Sequence, residues 1–396
     1  MKEKYDLVKL SDICEIKSGG TPSRNEKDNY GGSIPWAKIS DIEASNGTLF
    51  TTEETITEKG LKAIRNRIFD EGTLLFAMYG SVGKMAFTEV KVSTNQAILG
   101  INIKDQSKLY DRYLYYWLLG KKNEFLYLAN GVTQKNLSAT FLRNVKIPLP
   151  SIELQRRIAQ ILDKADEIVK KRKSSIALTE QLQKSIFLDM FGDPVTNPKG
   201  WDVVKLGEYI LHCNNGLSRR RKIFDNVGNI VLRLQDIKAG KIDFSEPNRI
   251  PLELSEQKRY QLQKGDLLFI RVNGNKEYVG RCAVYNGFQE DVYHNDHIIR
   301  IQTKANLKTE YLAFVFNNSY GKKIIESYIK TSAGQYTISQ QGLESISIPI
   351  PPKELQEKFI QYSIMIQKTA NNYVKSLQES ENLFNSLLQR AFKGEL

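Results

Sequence analysis

The chain has 396 residues, 41% hydrophobic and 26% charged, with 57 Lys and Arg against 45 Asp and Glu for a net charge of +12. That length predicts two or three globular domains; no run of 18 apolar residues is present to span a membrane, and MKEKYDLVKLSD at the start has no apolar secretory segment, so a cytoplasmic location is expected. Cys14, Cys213 and Cys282 are too scattered for a disulfide framework or a zinc ribbon, and the basic excess points to a polyanionic partner.

In chain order, residues 1–150 read as a β-rich domain. Short apolar runs such as TLLFAM (73–78) and AILGINI (97–103), separated by Gly, Asn, Asp and Ser, predict strands. WAKIS (36–40) is also expected to be a strand, and short helices are expected around 111–128. IPLP (147–150) holds the chain extended ahead of a helix. Ser151 serves as N-cap, and Glu153 lies in the first turn, where the helix dipole favours a carboxylate.

From 151 to 192 almost no Gly or Pro interrupts the chain. Ile158, Leu162, Ala165, Val169, Ile176 and Ile186 fall on alternating steps of four and three, with Arg172, Thr179 and Gln183 as polar members. That 3.5-residue spacing predicts a supercoiling helix with a weak seam. At 1.5 Å per residue it would be roughly 60 Å long. A Gly/Pro/Asn linker, 193–200, follows.

The plan then recurs. Residues 201–351 form a second β-rich domain with strands at NIVLRL (229–234) and DLLFI (266–270) and short helices around 309–329; a second long helix occupies 352–396. Its seam is Phe359, Ile366, Ala370, Tyr373, Leu377, Phe384 and Leu387. IPLPSIELQ at 147 returns as IPIPPKELQ at 348, with Pro352 in the place of Ser151 and Glu354 in that of Glu153. KISDI (38–42) returns as RLQDI (233–237), GTLLF (72–76) as GDLLF (265–269), GKMA (83–86) as GRCA (280–283), Asn95 as Asn295, and Tyr113-Leu114 as Tyr311-Leu312. Landmarks in one order, twice, define an internal repeat of about half the chain.

No catalytic motif stands out. GSVGK (80–84) lacks the first glycine and the final Ser/Thr of a P-loop, having Met78 and Met85 there, and reads as a turn. YHNDH (293–297) brings His294, Asp296 and His297 together, but its copy STNQA (93–97) has neither histidine, so a structural turn around the shared asparagine is expected rather than a metal site. There is no GxSxG, no Cys/His pairing, no paired-carboxylate motif and no amino-methyltransferase tetrapeptide.

The loops between the strands combine basic, amide and hydroxyl side chains. In the first domain they offer Lys17, Ser18, Thr21, Ser23, Arg24, Lys38, Tyr79, Ser81, Lys84, Gln134, Lys135 and Asn136. In the second they offer Asn214, Asn215, Ser218, Arg219, Arg220, Arg221, Arg233, Gln235, Arg271, Asn273, Asn275, Lys276, Arg281, Gln335 and Tyr336. Lys and Arg neutralise phosphates, whereas Arg, Asn and Gln read base edges. The loops differ between the halves while the apolar runs stay alike, as expected of one framework reading two sequences.

The helix starts IPLP…ELQ and IPIP…ELQ, the SGGTPSR loop, IPWAKISDI, LLFAMYGSVGK and FGDPVTNPKGW together resemble the specificity subunit of a type I restriction-modification enzyme, over essentially the whole chain. The resemblance implies an α+β fold: two target recognition domains, 1–150 and 201–351, joined by two long helices packed as an antiparallel coiled coil with pseudo-two-fold symmetry. Each domain would read one half of a bipartite double-stranded DNA site, and the helices would set the spacer. Two modification subunits would bind S-adenosylmethionine and methylate an adenine in each half-site. A restriction subunit, using ATP and Mg, would join them. The chain itself would hold no catalytic residue, cofactor or metal. The loop at 214–222 departs from the pattern, with Leu217 and Ser218 where the first copy has Thr-Pro. The competing readings are a non-catalytic coiled-coil scaffold with incidental basicity and an RNA-binding protein, the latter disfavoured by the lack of exposed stacking aromatics of RNP type.

Overall fold

A computed structural model describes residues 5–129, 137–219, 227–332 and 334–396. It is a mixed helix-and-sheet protein that divides into two compact units, Met1–Ser174 with Val374–Leu396, and Ser175–Tyr373.

In the first unit a five-stranded sheet runs in the order Cys14–Ser18, Ile98–Ile103, Leu74–Ala77, Met85–Thr88, Thr48–Leu49. A three-stranded sheet orders Glu54–Ile56, Tyr30–Ala37 and Ser93–Thr94. Leu74–Ala77 is buried on both faces, which is why TLLFAM is continuously apolar rather than alternating. Leu74 and Phe76 join a core built with helix Asp111–Gly120, while Leu75 joins Phe69, Ala86 and Ile98 on the other side.

The second unit has the order Ile210–Asn215, Ile298–Thr303, Leu267–Ile270, Cys282–Val284, beside a sheet of Arg249–Ile250, Asn229–Leu232 and Val292–His294. Leu267 and Phe269 face one core, Leu268 and Ile270 another. A short two-stranded sheet closes each β-rich part: Leu7 pairs with Pro148 and Val203 with Pro349, both antiparallel. The thiols are free, and Cys14 and Cys282 are buried.

The long helices are Ile152–Phe191 and Lys353–Phe392. Ser151 Oγ accepts from Leu154 N at 3.4 Å, and the Pro352 carbonyl accepts from Leu355 N at 3.0 Å. All the seam residues named above are buried or half-buried. In the first unit Lys173 pairs with Glu381 at 2.9 Å, and Phe384, Leu388 and Phe392 pack with Tyr113 and Tyr116. In the second unit Phe359 meets Phe187 and Phe191 at ring separations of 5.4 and 5.5 Å. Phe187, at 0% exposure and one position past the expected seam, packs on Tyr311, Phe314 and Tyr320 as well as on Phe359.

The expected strand WAKIS ends at Ala37. Lys38 is the N-cap of helix Ile39–Ala44, because Asp41 Oδ2 accepts its backbone N–H at 2.7 Å. NIVLRL is likewise strand only to Leu232; Arg233 caps a 3-10 turn through Asp236 at 2.8 Å. The acidic residue three positions on, present in both KISD and RLQD, was the signal for a helical turn.

Candidate nucleic-acid interface

In the first unit, Gly19 N–H donates to Ile98 O at 3.0 Å, Gly20 N–H to Thr94 O at 2.8 Å, Met78 N–H to Ala97 O at 2.8 Å and Asn95 N–H to Ala37 O at 3.0 Å. These bonds gather loops 17–24, 78–84, 94–97 and Lys38 at one end of the sheets. A Cβ on Gly19 would lie 2.1 Å from Thr94 Oγ1, so only glycine allows this approach.

Arg24 pairs with Glu54 at 2.7 Å and lies 4.2 Å from the Tyr30 ring centroid; Lys38 pairs with Glu53 and Glu54 at 2.7 and 2.8 Å. Arg24 first, then Lys38, hold the Glu54 carboxyl below the usual carboxylate range. Ion pairs this close to solvent add little to stability, so their effect is to orient the cations. Lys17 pairs with Glu15 at 2.7 Å, Thr21 bonds Gln96, and Ser81 bonds Glu43. Ser18 ends its strand, the Ser23 carbonyl accepts from Asn29, and Tyr79 packs on the core. GSVGK is the expected turn: Ala77 N–H donates to Lys84 O at 2.9 Å, with Gly80 and Gly83 at φ of 62° and 78°.

The second unit assembles corresponding loops. Leu217 N–H donates to His294 O at 2.8 Å as Gly20 N–H does to Thr94 O, so Leu217 stands in the place of Gly20 and Ser218 in that of Thr21, one position from the expected Thr-Pro match; Arg271 N–H donates to His297 O at 3.0 Å and Asn295 N–H to Leu232 O at 3.0 Å. Ser218 donates to Asp296 at 2.9 Å, Arg219 pairs with Glu256 at 3.4 Å, and Arg233 pairs with Asp236 at 2.8 Å, with Gln235 against its guanidinium. Asn214 accepts from Arg300 at 3.2 Å, Asn273 from Asn275 N–H at 2.9 Å, and Asn275 from Glu277 N–H at 3.0 Å. Lys276 pairs with Glu326 at 2.6 Å, and Arg281 lies 4.2 Å from the Tyr278 ring centroid. Gln335 and Tyr336 are brought in by pairing of Asn273 with Tyr336. Gln134, Lys135, Asn136, Arg220 and Arg221 lie outside the described residues.

At YHNDH, His294 is fully buried with Nδ1 3.2 Å from Tyr260 O, and burial pushes its pKa down to about 4. Among the described residues no three His, Cys, Asp or Glu are grouped to hold a metal ion. Asn95 and Asn295 form the same turn: their side-chain oxygens accept from Ala97 N and His297 N at 3.1 and 3.3 Å. Sequence reasoning missed Arg67, which donates to Gly19 O at 2.6 Å, and the carboxylates Glu53 and Glu54. Arg67 follows Arg65 and Asn66, at φ of 61° and 53°, a backbone reversal that no sequence pattern announces.

Each unit thus presents a cluster of basic and amide loops at the ends of its strands. A family model described as the type I restriction modification DNA specificity domain matches residues 2–178 and again 198–371, and the chain belongs to that family. It is similar to the specificity subunits of the type I restriction enzymes StySPI of Salmonella potsdam (25% identical, 100% of this chain and 90% of that protein) and EcoKI of Escherichia coli strain K12 (26%, 100% and 90%). The MjaIX specificity subunit of Methanocaldococcus jannaschii is 27% identical, covering 99% of this chain and 93% of that one. In fold it matches the type I restriction-modification S subunit from M. genitalium with a TM-score of 0.56 at 15% identity, covering 99% of this chain and 96% of that one. The chain is thus a non-catalytic specificity subunit.

Proposed function

We propose that this chain reads a bipartite double-stranded DNA site for a type I restriction-modification complex. Residues 1–150 and 201–351 each read one half-site, the linker 193–200 joins the two copies, and helices 151–192 and 352–396 pair as an antiparallel coiled coil that sets the gap. The helices also dock two adenine-methylating modification subunits, which carry S-adenosylmethionine; ATP and Mg belong to a restriction subunit. The assembly acts in the cytoplasm, and among the described residues no helix is long and apolar enough to cross a membrane.

The observation that carries this reading is a loop cluster held twice by corresponding backbone bonds, Gly20 to Thr94 and Leu217 to His294, Met78 to Ala97 and Arg271 to His297, with different side chains on each frame. A shared frame with different side chains is what two half-sites require. The test is to express the chain with an N6-adenine methyltransferase partner and map the methylated adenines. Two half-motifs at a fixed gap are expected. Methylation by the chain alone, or a continuous motif, would overturn the reading.

A further inference from the structure

We propose that Arg271 is the residue by which the second unit selects a guanine in its half-site, a contact the first unit does not make. The inference deepens the bipartite reading and rests on it.

Most of the described candidate cations already have a carboxylate partner: Lys17, Arg24, Lys38, Arg219, Arg233 and Lys276. Among the described candidates Lys84, Arg271 and Arg281 have none. The backbone separates their roles. Lys84 and Arg281 occupy one and the same place, since Ala77 N–H donates to Lys84 O and Ile270 N–H to Arg281 O, both at 2.9 Å. A charge common to both units carries no sequence information and suits a phosphate.

Arg271 is different. Its N–H bonds His297 O just as that of Met78 bonds Ala97 O, so a thioether in the first unit stands where the second has a guanidinium. The position is rigid, because Ile338 N–H also donates to Arg271 O at 2.9 Å. Its Nη1 is tied to Asp296 O at 3.1 Å, while its Nε–H, shielded from solvent, has no acceptor in the protein. His297 Nδ1 and Asn215 Oδ1, in the same loop cluster, are likewise shielded and accept or donate no hydrogen bond, the Asp296 carboxylate lying 3.8 Å from His297 Nδ1. Unmet polar groups held out of water make the free state costly. A small rotation of the guanidinium towards a purine relieves that cost, since O6 and N7 of guanine offer the two acceptors an arginine fork requires.

The test uses the full chain assembled with its modification subunit and reads methylated motifs across a genome for wild type, Arg271→Lys, Arg271→Met and Arg281→Ala. Lysine keeps the charge but not the fork. One half-motif of the wild type is expected to contain a guanine that Arg271→Lys and Arg271→Met relax, discrimination there falling by about tenfold to a hundredfold, with the other half-motif intact. Arg281→Ala should slow methylation at all sites alike and leave the motif unchanged. Arg271→Lys that retains both half-motifs in full overturns the assignment, as does a motif relaxed by Arg281→Ala instead. A wild-type motif that is not bipartite overturns the underlying reading.

Discussion

Gln155 and Gln356, the last letters of the two ELQ triplets, are each 0% exposed and make corresponding bonds. The Gln155 amide donates to Lys108 O and Pro150 O at 2.8 and 2.9 Å and accepts from Tyr110 N–H at 2.9 Å; Gln356 donates to Asn306 O and Pro351 O at 3.1 and 2.8 Å and accepts from Lys308 N–H at 2.8 Å. The prolines hold the chain extended, but the glutamine fastens each helix start to its β-rich domain. Replacement by alanine leaves three backbone groups unpaired, and Gln155→Ala and Gln356→Ala should each destabilise by about 2–4 kcal/mol, read as a lower urea midpoint. A second residue-scale effect follows from His294. Its folded pKa of about 4 lies below the ordinary 6.5, so between those values the unfolded chain binds the extra proton and the folded one does not. Stability from this group is therefore complete above pH 6.5 and declines as pH falls towards 4, by up to about 3 kcal/mol. His294→Gln should flatten the decline in melting temperature between pH 7 and 5, and an unchanged slope would remove His294 from the account.

The two long helices set the element scale. An insertion of seven residues preserves the 3.5-residue seam and lengthens a helix by about 10 Å. One such insertion after Ser174 and one after Tyr373 should widen the gap between methylated half-sites by about three base pairs and leave both half-motifs as they were; altered half-motifs would contradict a pure spacer. The helices were legible because neither forty-residue stretch contains Gly or Pro and a 3.5-residue spacing, apolar at most positions, runs through each, and the strands because both-face burial makes continuous apolar runs. The buried faces of the helices were legible only in part. Phe187 and Leu388, each one residue past a seam position, are buried at 0% and 7% exposure by the β-rich part of their unit, and a seam spacing has no sign for a second packing face. The candidate loops could be read as basic, but not as paired. Trp36 lies opposite Glu54 across two strands, and that pairing brings Glu54 to Arg24 and Lys38; such contacts depend on sheet register, which a sequence fixes only through the completed fold.

For the whole molecule, the question is whether a net charge of +12 engages DNA or is incidental. With Lys17, Arg24, Lys38, Arg219, Arg233 and Lys276 in ion pairs, total charge overstates the phosphate contacts available. Counterion release depends only on phosphates actually neutralised, with a slope of log K against log salt near −0.9 for each. Lys84→Ala and Arg281→Ala, which remove charges without carboxylate partners at equivalent places in the two units, should each make that slope shallower by about one, and together by about two. Lys276→Ala, which removes a cation already paired with Glu326, should change the slope far less. DNA titrations across a salt series decide the matter. A scaffold whose basicity is incidental would bind its partners with no preference among DNA sequences and would show the same slope in every variant.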